Sequence, residues 1–344
     1  MPDLQRRVTY VLPICSAHPR TDGDFCDYLR RVSAIAETIV VDGSVTPVFE
    51  EHAHAWGSMV IHIRPRADLV TPMGKVGGAL TGIRLASYDK IIIADDDIRY
   101  DEAGVVAIEN ALDHAEVVRP QNYFSPTPWH ALWDSGRILL NRISGGDWPG
   151  TLGVLREPLL QAGGYDGTVM FENLELVRTI VASGGREEVL LDTYVARRPS
   201  TTRHFFSQRV RQAYDEFSRP PRLAFQLTWL PAAIIAFRLG GWKTLAFAAV
   251  IIMALAEAGR RRGNAHRVFP FAGSLASPAW VLERAICAWL AVGARITFGG
   301  IPYRGTILSR AATPMSVLKA RLASRKPVLS ENFDLDRLER SIVG

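Results

Sequence analysis

The chain has 344 residues, 48% of them apolar and 22% charged, and a net charge of +5. That composition suits a soluble fold with an added apolar portion, in one large or two ordinary domains. Three cysteines (Cys15, Cys26 and Cys287) with neither pair spacing nor a metal-ligand motif favour a reduced, cytosolic setting over a disulfide framework. Arg6-Arg7 before an apolar stretch has the outline of a signal peptide. Pro13 interrupts that stretch and an α/β rhythm follows, so residues 8–14 read as a first buried strand.

Thr21-Asp22 caps a predicted helix over residues 24–35, whose Phe25, Tyr28, Leu29, Val32 and Ile35 share one face. Residues 38–41 form a second strand that ends at Asp42-Gly43-Ser44. Pro47 opens a helix that runs to about Trp56, and residues 59–63 form a third strand. A helix over 74–86 is loosened by Gly77, Gly78 and Gly82. The fourth strand, from Lys90, ends in Asp95-Asp96-Asp97. Three adjacent carboxylates repel one another, so this strand end calls for a cation. Hard oxygen ligands at the carboxyl end of a strand suit Mg2+ or Mn2+ beside a phosphate. The competing reading is a polar loop that caps the next helix. Strand alternating with helix predicts a parallel sheet covered on both faces. The missing G-x-G-x-x-G and P-loop argue against a dinucleotide dehydrogenase or an ATPase.

A helix over 101–114 and a short strand over 116–119 follow. Residues 120–150 change character, with Trp129, Trp133, Trp148 and an Asp147-Trp148-Pro149-Gly150 turn. Residues 151–155 resume as a strand, 171–181 form a helix, 189–195 a strand, and 204–217 an amphipathic helix with Gln208, Arg209 and Arg211. Two apolar runs, 223–237 and 244–256, flank a turn at 238–243. Each is shorter than the ~20 residues of a full transmembrane span, which predicts a hairpin that dips into one leaflet or two tilted spans. Arg219 and Arg222 before it, and Arg260, Arg261, Arg262 and Arg267 after it, place both ends on the cytoplasmic side. The competing reading is a buried helical pair in a soluble domain. Residues 278–298 read as an interfacial helix and the remainder as a polar tail. The predicted domains are therefore 1–218 and a membrane-associated helical region, 219–344.

Four stations on this pattern resemble the inverting family-2 glycosyltransferases with a GT-A fold. The resemblance is strongest to the membrane-associated branch that includes ceramide glucosyltransferase and the processive polysaccharide synthases. They are Val41-Asp42-Gly43-Ser44, Asp95-Asp96-Asp97, Phe171-Glu172-Asn173-Leu174-Glu175-Leu176-Val177-Arg178, and Gln208-Arg209-Val210-Arg211-Gln212. Gly74-Lys75 resembles that family's G-K. The resemblance implies that Asp42 holds the nucleotide base, that Asp95 and Asp97 bind the metal and diphosphate, and that Lys75, Gln208 and Arg211 lie on the donor. Glu172 is the implied base, with Glu175 the alternative. Gln212 stands where processive members carry a tryptophan, which argues against processive synthesis.

These readings imply a metal-dependent transfer of a hexose from a nucleotide-sugar, a UDP-sugar first, at the cytoplasmic membrane face. The acceptor is a lipid or lipid-linked group, with a polysaccharide or other glycan as the alternative; nucleic acid is not an expected partner. A non-catalytic sugar-nucleotide-binding membrane protein and a nucleotidyltransferase are the competing classes. The latter lacks its glycine-rich phosphate loop after the first strand. His52 and His54, two apart on a helix, face away from each other and read as surface residues. No partner spacing assigns a role to His114, His130 or His204.

Overall fold

The structure, a computed structural model, describes residues 7–21 and 23–324. Arg6, Asp22 of the predicted helix cap, and residues 325–344 of the predicted tail lie outside the described residues. The first half alternates β1 (Val8–Ile14), α1 (Gly23–Ile35), β2 (Glu37–Asp42), α2 (Thr46–Trp56), β3 (Ile61–Ile63), α3 (Gly74–Leu85), β4 (Lys90–Ala94), β5 (Ile98–Arg99) and α4 (Glu102–Ala111). Next come β6 (Val117–Phe124), α5 (Trp129–Asn141), β7 (Thr151–Leu155), α6 (Arg156–Gln161), α7 (Glu172–Ala182), β8 (Glu187–Arg197), α8 (Thr202–Ser207) and α9 (Arg209–Tyr214). The chain continues through α10 (Pro220–Arg261), α11 (Phe271–Phe298), β9 (Ile301–Tyr303), β10 (Thr306–Leu308) and α12 (Met315–Ser324).

Eight strands form one sheet in the order β3-β2-β1-β4-β7-β6-β8-β5. Neighbours from β3 to β4 are parallel, as are β6 and β8, while β7 runs antiparallel between β4 and β6. This is the mostly parallel α/β architecture expected, followed by a long helical region. Alternation along β1 sends Tyr10, Leu12 and Ile14 to the face of α1 and α4, and Val11 to the face of α3. The glycines of α3 do not loosen it. A Cβ on Gly82 would stand 2.4 Å from Val11 Cγ1, and one on Gly78 2.8 Å from Pro13 Cβ. They let α3 press onto β1 and bring its amino end to the strand ends.

Residues 120–150 are more ordered than their composition suggests. Gln121 to Phe124 extend β6 along β8, and α5 carries Trp129 and Trp133. The predicted helix over 204–217 is broken at Gln208 into α8 and α9.

A straight α10 of 42 residues would be about 63 Å long. Gly241, at φ 62° and ψ −156°, reverses it instead. Arg222, in the first arm, donates to Asn141 Oδ1 (2.7 Å), and Gly259, in the second, accepts from Arg142 Nε (3.2 Å). Both outer ends therefore meet the end of α5, and α10 is a helical hairpin. Each arm is about 20 residues, or about 30 Å, longer than its apolar run and close to a hydrocarbon thickness. The arms are not a buried pair: Phe225, Phe237, Leu239, Trp242 and Phe247 are more than half exposed. By length and composition both α10 and α11 can cross a membrane.

Helix α11 differs from the interfacial helix expected. It packs on α5, α9 and α10, and its polar residues face the protein. Glu283 accepts from Trp133 Nε1, and Arg284 donates to the Gln212 carbonyl. Leu282, Ile286 and Leu290 face outward. The segment after α11 returns to the sheet domain. Met170 and Phe171 N–H groups donate to the carbonyls of Arg310 and Ala311 (2.9 and 2.7 Å), and α12 packs on α7.

The α3–β1 contact is checked by Gly82→Ala. Overpacking there should cost on the order of 1–3 kcal/mol, read as a lower urea midpoint at unchanged slope.

Candidate active site

The carboxyl end of β4 points at the amino ends of α3 and α7. Lys75, in the first turn of α3, places its Nζ 2.5 Å from Asp95 Oδ1 and 2.8 Å from Glu172 Oε1. Arg197, the last residue of β8, bonds Asp97 Oδ2 through Nε (2.9 Å) and lies 3.4 Å from Asp95 Oδ2. Pairing of β5 with β8 brings it there, in a register that matches Ile98 with Arg197. Burial works against the Asp95 carboxylate, but Lys75 and Arg197 hold its pKa below the usual range. Burial raises Asp97, and Arg197 only partly offsets it. Gly150 leaves the room: a Cβ there would meet Asp95 Oδ2 at 2.6 Å. Asp96, between the two, pairs with Arg20 instead.

The sequence-predicted residues divide. Asp95, Lys75, Glu172 and Arg211 line one cavity of about 260 Å³ with Arg197. Lys75, Asp95 and Arg211 also line a second cavity of about 820 Å³, which runs under the ends of β1 and β2 and carries Gln208. Tyr303 of β9 borders both, with the Arg211 guanidinium 5.4 Å from its ring centre. Gln208 Oε1 is shielded from solvent and has no hydrogen-bond partner. Glu175 points away, accepting from the Thr313 N–H at 2.6 Å, so Glu172 is the one of the two that faces the cavity. Arg178 donates to the carbonyls of Thr313 and Ser218. Arg209 is buried against Asp134 and Glu283 (2.7 and 3.3 Å) and is structural.

Asp42 is placed differently from the expectation that it holds a nucleotide base. It is fully buried beneath the larger cavity, accepting from His52 Nδ1 (2.7 Å), His62 Nε2 (3.1 Å) and the Ser44 N–H. Burial raises its pKa, but the bonds from His62, Ser44 and His52 outweigh that and hold it far below the usual range. His52 is likewise buried, not on the surface; its partner across the strand is His62, while His54 is exposed. The Arg20 N–H donates to His52 Nε2 (2.9 Å), so the His52 proton sits on Nδ1 and points at Asp42. The ligand atoms of Asp42, His52 and His62 lie within 4.8 Å of one another; hydrogen bonds join the three, and the buried His62 Nδ1 has no partner. Above it, Gly43 and Cys15 form the cavity wall.

Two site residues carry no motif. Arg197 opens the arginine-rich part of the chain, a composition that suits an anionic surface or phosphate, but no spacing ties it to Asp95 and Asp97. Asp215, after α9, lines the smaller cavity, and its shielded Oδ1 has no partner. Burial and the nearby Glu172 charge push its pKa up to about 7, against Arg211 and Arg284.

The residues fit a divalent cation. Asp97 Oδ1 is a shielded carboxylate oxygen without a partner, and Asp95 and Asp97 supply the hard oxygen donors such an ion takes.

No protein-family model and no curated protein matches the chain. Among solved structures it is similar to the mannosyltransferase PcManGT of Pyrobaculum calidifontis in complex with GDP-Man and Mn2+ (16% identity, TM-score 0.47, over 84% of this chain and 89% of that one). It is also similar to S. aureus TarS 1-349 (13%, 0.40, over 90% and 98%) and to M. tuberculosis glucosyl-3-phosphoglycerate synthase (16%, 0.38, over 58% and 73%). At these scores substrate and chemistry rest on the site itself.

Asp215 gives a pH test. Its folded pKa, about 7, lies above its ordinary 3.8, so its stabilising influence is complete below pH 3.8 and lost as pH rises through 7. Asp215→Asn should therefore gain stability at pH 8, on the order of 1–3 kcal/mol, with the gain shrinking toward pH 4. Urea unfolding at the two pH values measures it.

Proposed function

We propose that the chain is an inverting glycosyltransferase that moves a hexose from a nucleotide-sugar to a lipid or lipid-linked acceptor at the cytoplasmic face of a membrane. The carrying observation is the convergence of Asp95 and Glu172 on Lys75, where two cavities meet, with Asp97 joined to Asp95 through Arg197 and bordering neither cavity. A UDP-sugar is the first donor to test. The larger cavity suits the nucleotide, since it runs under the β1 and β2 ends where ligands of such sheets gather. The smaller one, on the Glu172 side, suits the acceptor. The exposed apolar hairpin is the membrane seat, and residues 1–218 are the catalytic domain to which residues 299–324 also contribute.

Asp95 and Asp97 would hold Mg2+ or Mn2+, which when bound supplies Lewis-acid stabilisation of charge on the departing diphosphate. The chain's own residues do the rest. Lys75 and Arg211 face both cavities and present cationic donors to the phosphates. The bond from the anomeric carbon to the diphosphate oxygen breaks as the bond to the acceptor oxygen forms on the opposite face, which inverts the centre. Glu172 takes the acceptor's proton. Without donor its carboxylate is occupied by Lys75. A diphosphate competes for that ammonium and leaves Glu172 able to accept a proton only when there is a sugar to transfer.

Glu172→Gln should lower transfer by 10²-fold or more, the usual scale for losing a general base, with donor affinity changed little. Retained turnover would remove Glu172 from the base role. Asp97→Asn should abolish the Mn2+-dependent part of nucleotide-sugar binding in a calorimetric titration, and an unchanged titration would count against the metal assignment.

A further inference from the structure

A third cavity, of about 790 Å³, lies between the two arms of α10 and the side of α11. Its walls are apolar, with Trp229 and Ala233 on one arm and Ala249 and Ile252 on the other. It shares Asn141, Arg222 and Trp280 with the acceptor-side cavity, so the apolar groove adjoins that cavity.

The junction is polar in a particular way. Arg219, Arg222 and Arg284 border the acceptor-side cavity, and Glu216 is shared between Arg219 (3.0 Å) and Arg222 (3.3 Å). Arg284, 2% exposed, has no carboxylate within ion-pair distance among the described residues, and its Nε has no partner. Asp147, Glu172 and Asp215 also line this cavity, and Glu283 lies near Arg284, but with Lys75, Arg137, Arg197 and Arg211 on the wall the cationic side chains still outnumber the carboxylates. Gln226, 1% exposed, has neither amide atom satisfied, and Trp280 Nε1 is also unpartnered. Buried polar atoms of this kind are costly unless a ligand completes them.

We infer that this groove holds the hydrocarbon chain of the acceptor and that the acceptor is a lipid with an anionic, phosphate-class headgroup. The phosphate sits among Arg219, Arg222 and Arg284, whose forked donors match its oxygens. Gln226 and Trp280 complete its polar contacts, and the apolar chain leaves between the hairpin arms toward the bilayer. This rests on the glycosyltransfer reading and narrows its acceptor.

The test uses the full chain in detergent with labelled nucleotide-sugars and a lipid panel. Phosphatidylglycerol and phosphatidylinositol, which attack through a hydroxyl whose proton Glu172 takes, and a long-chain prenyl phosphate, which attacks through an ionised phosphate oxygen and needs no base, form the anionic arm; diacylglycerol and ceramide form the neutral arm. Label should enter the anionic arm at least about tenfold faster, and Arg222→Gln should raise KM for that lipid roughly tenfold while leaving KM for the donor. Ala249→Trp and, on the facing arm, Ala233→Phe fill the groove. Each should raise KM for a long-chain acceptor relative to a short-chain analogue with the same headgroup. Preference for neutral lipids, or groove-filled variants with an unchanged chain-length profile, overturns the inference while glycosyl transfer stands. If no nucleotide-sugar is bound or turned over with any acceptor, the glycosyltransfer reading itself fails.

Discussion

One ammonium group stands between two carboxylates: Lys75 Nζ lies 2.5 Å from Asp95 and 2.8 Å from Glu172. Carboxylates gathered at low solvent exposure repel one another and lose hydration, so each needs a cation. Lys75 supplies it on one side and Arg197 on the other. The fold then has to bring α3, β4, α7 and β8 to a single point. The small residues follow from that demand. Gly78 and Gly82 admit α3 against β1, and Gly150 leaves space for Asp95 and Arg197 together. The mutual neutralisation also makes the site responsive. An anionic substrate that drew Lys75 away would release the Glu172 carboxylate from its ion pair.

Much of the sheet is legible in the sequence because its central strands are unbroken apolar runs that end in polar punctuation. β1, β2, β4 and β7 are of that kind. The far end of β6 is not: Pro120 to Asn122 look like a loop, and only pairing with β8 makes them a strand. α5 was hidden by Trp129, Trp133 and a proline-rich surrounding, although its buried face is regular. At the site, the Asp95-Asp96-Asp97 strand end stands out because adjacent carboxylates need a cation, whereas Lys75 and Glu172 come only from the family resemblance; the fold brings both beside Asp95. Arg197 and Asp215 are not readable. Their significance comes from strand pairing and from burial, which leave no spacing signature. Asp42 shows the reverse case, a residue whose motif was visible while its side chain was committed to His52 and His62.

α11 shows how the same ambiguity acts in an apolar helix. Glu283 and Arg284 in a run of leucine, isoleucine and tryptophan look like a polar stripe at an interface. In the fold they turn inward, toward Trp133 and the Gln212 carbonyl, while Leu282, Ile286 and Leu290 face out. Neither arrangement can be told from the other by composition, since both place two charges on one face.

That inward polarity ties the helical region to the chemistry. Arg209 joins Asp134 of α5 and Glu283 of α11 in one buried cluster. Removing one member of such a cluster leaves an unpaired buried charge, a large penalty compared with the weak preference of exposed ion pairs. α5, α9 and α11 are thereby fixed to one another, and α9 carries Arg211 to the edge of both cavities. The outer ends of the hairpin are fixed to the same body through Asn141, Arg142 and Gly259. A bilayer that holds the hairpin would therefore set the orientation of the catalytic cleft, with no flexible linker between the two. A lipid acceptor needs that geometry. Its chain stays in the apolar phase, so only a cleft held at a constant height can receive its headgroup.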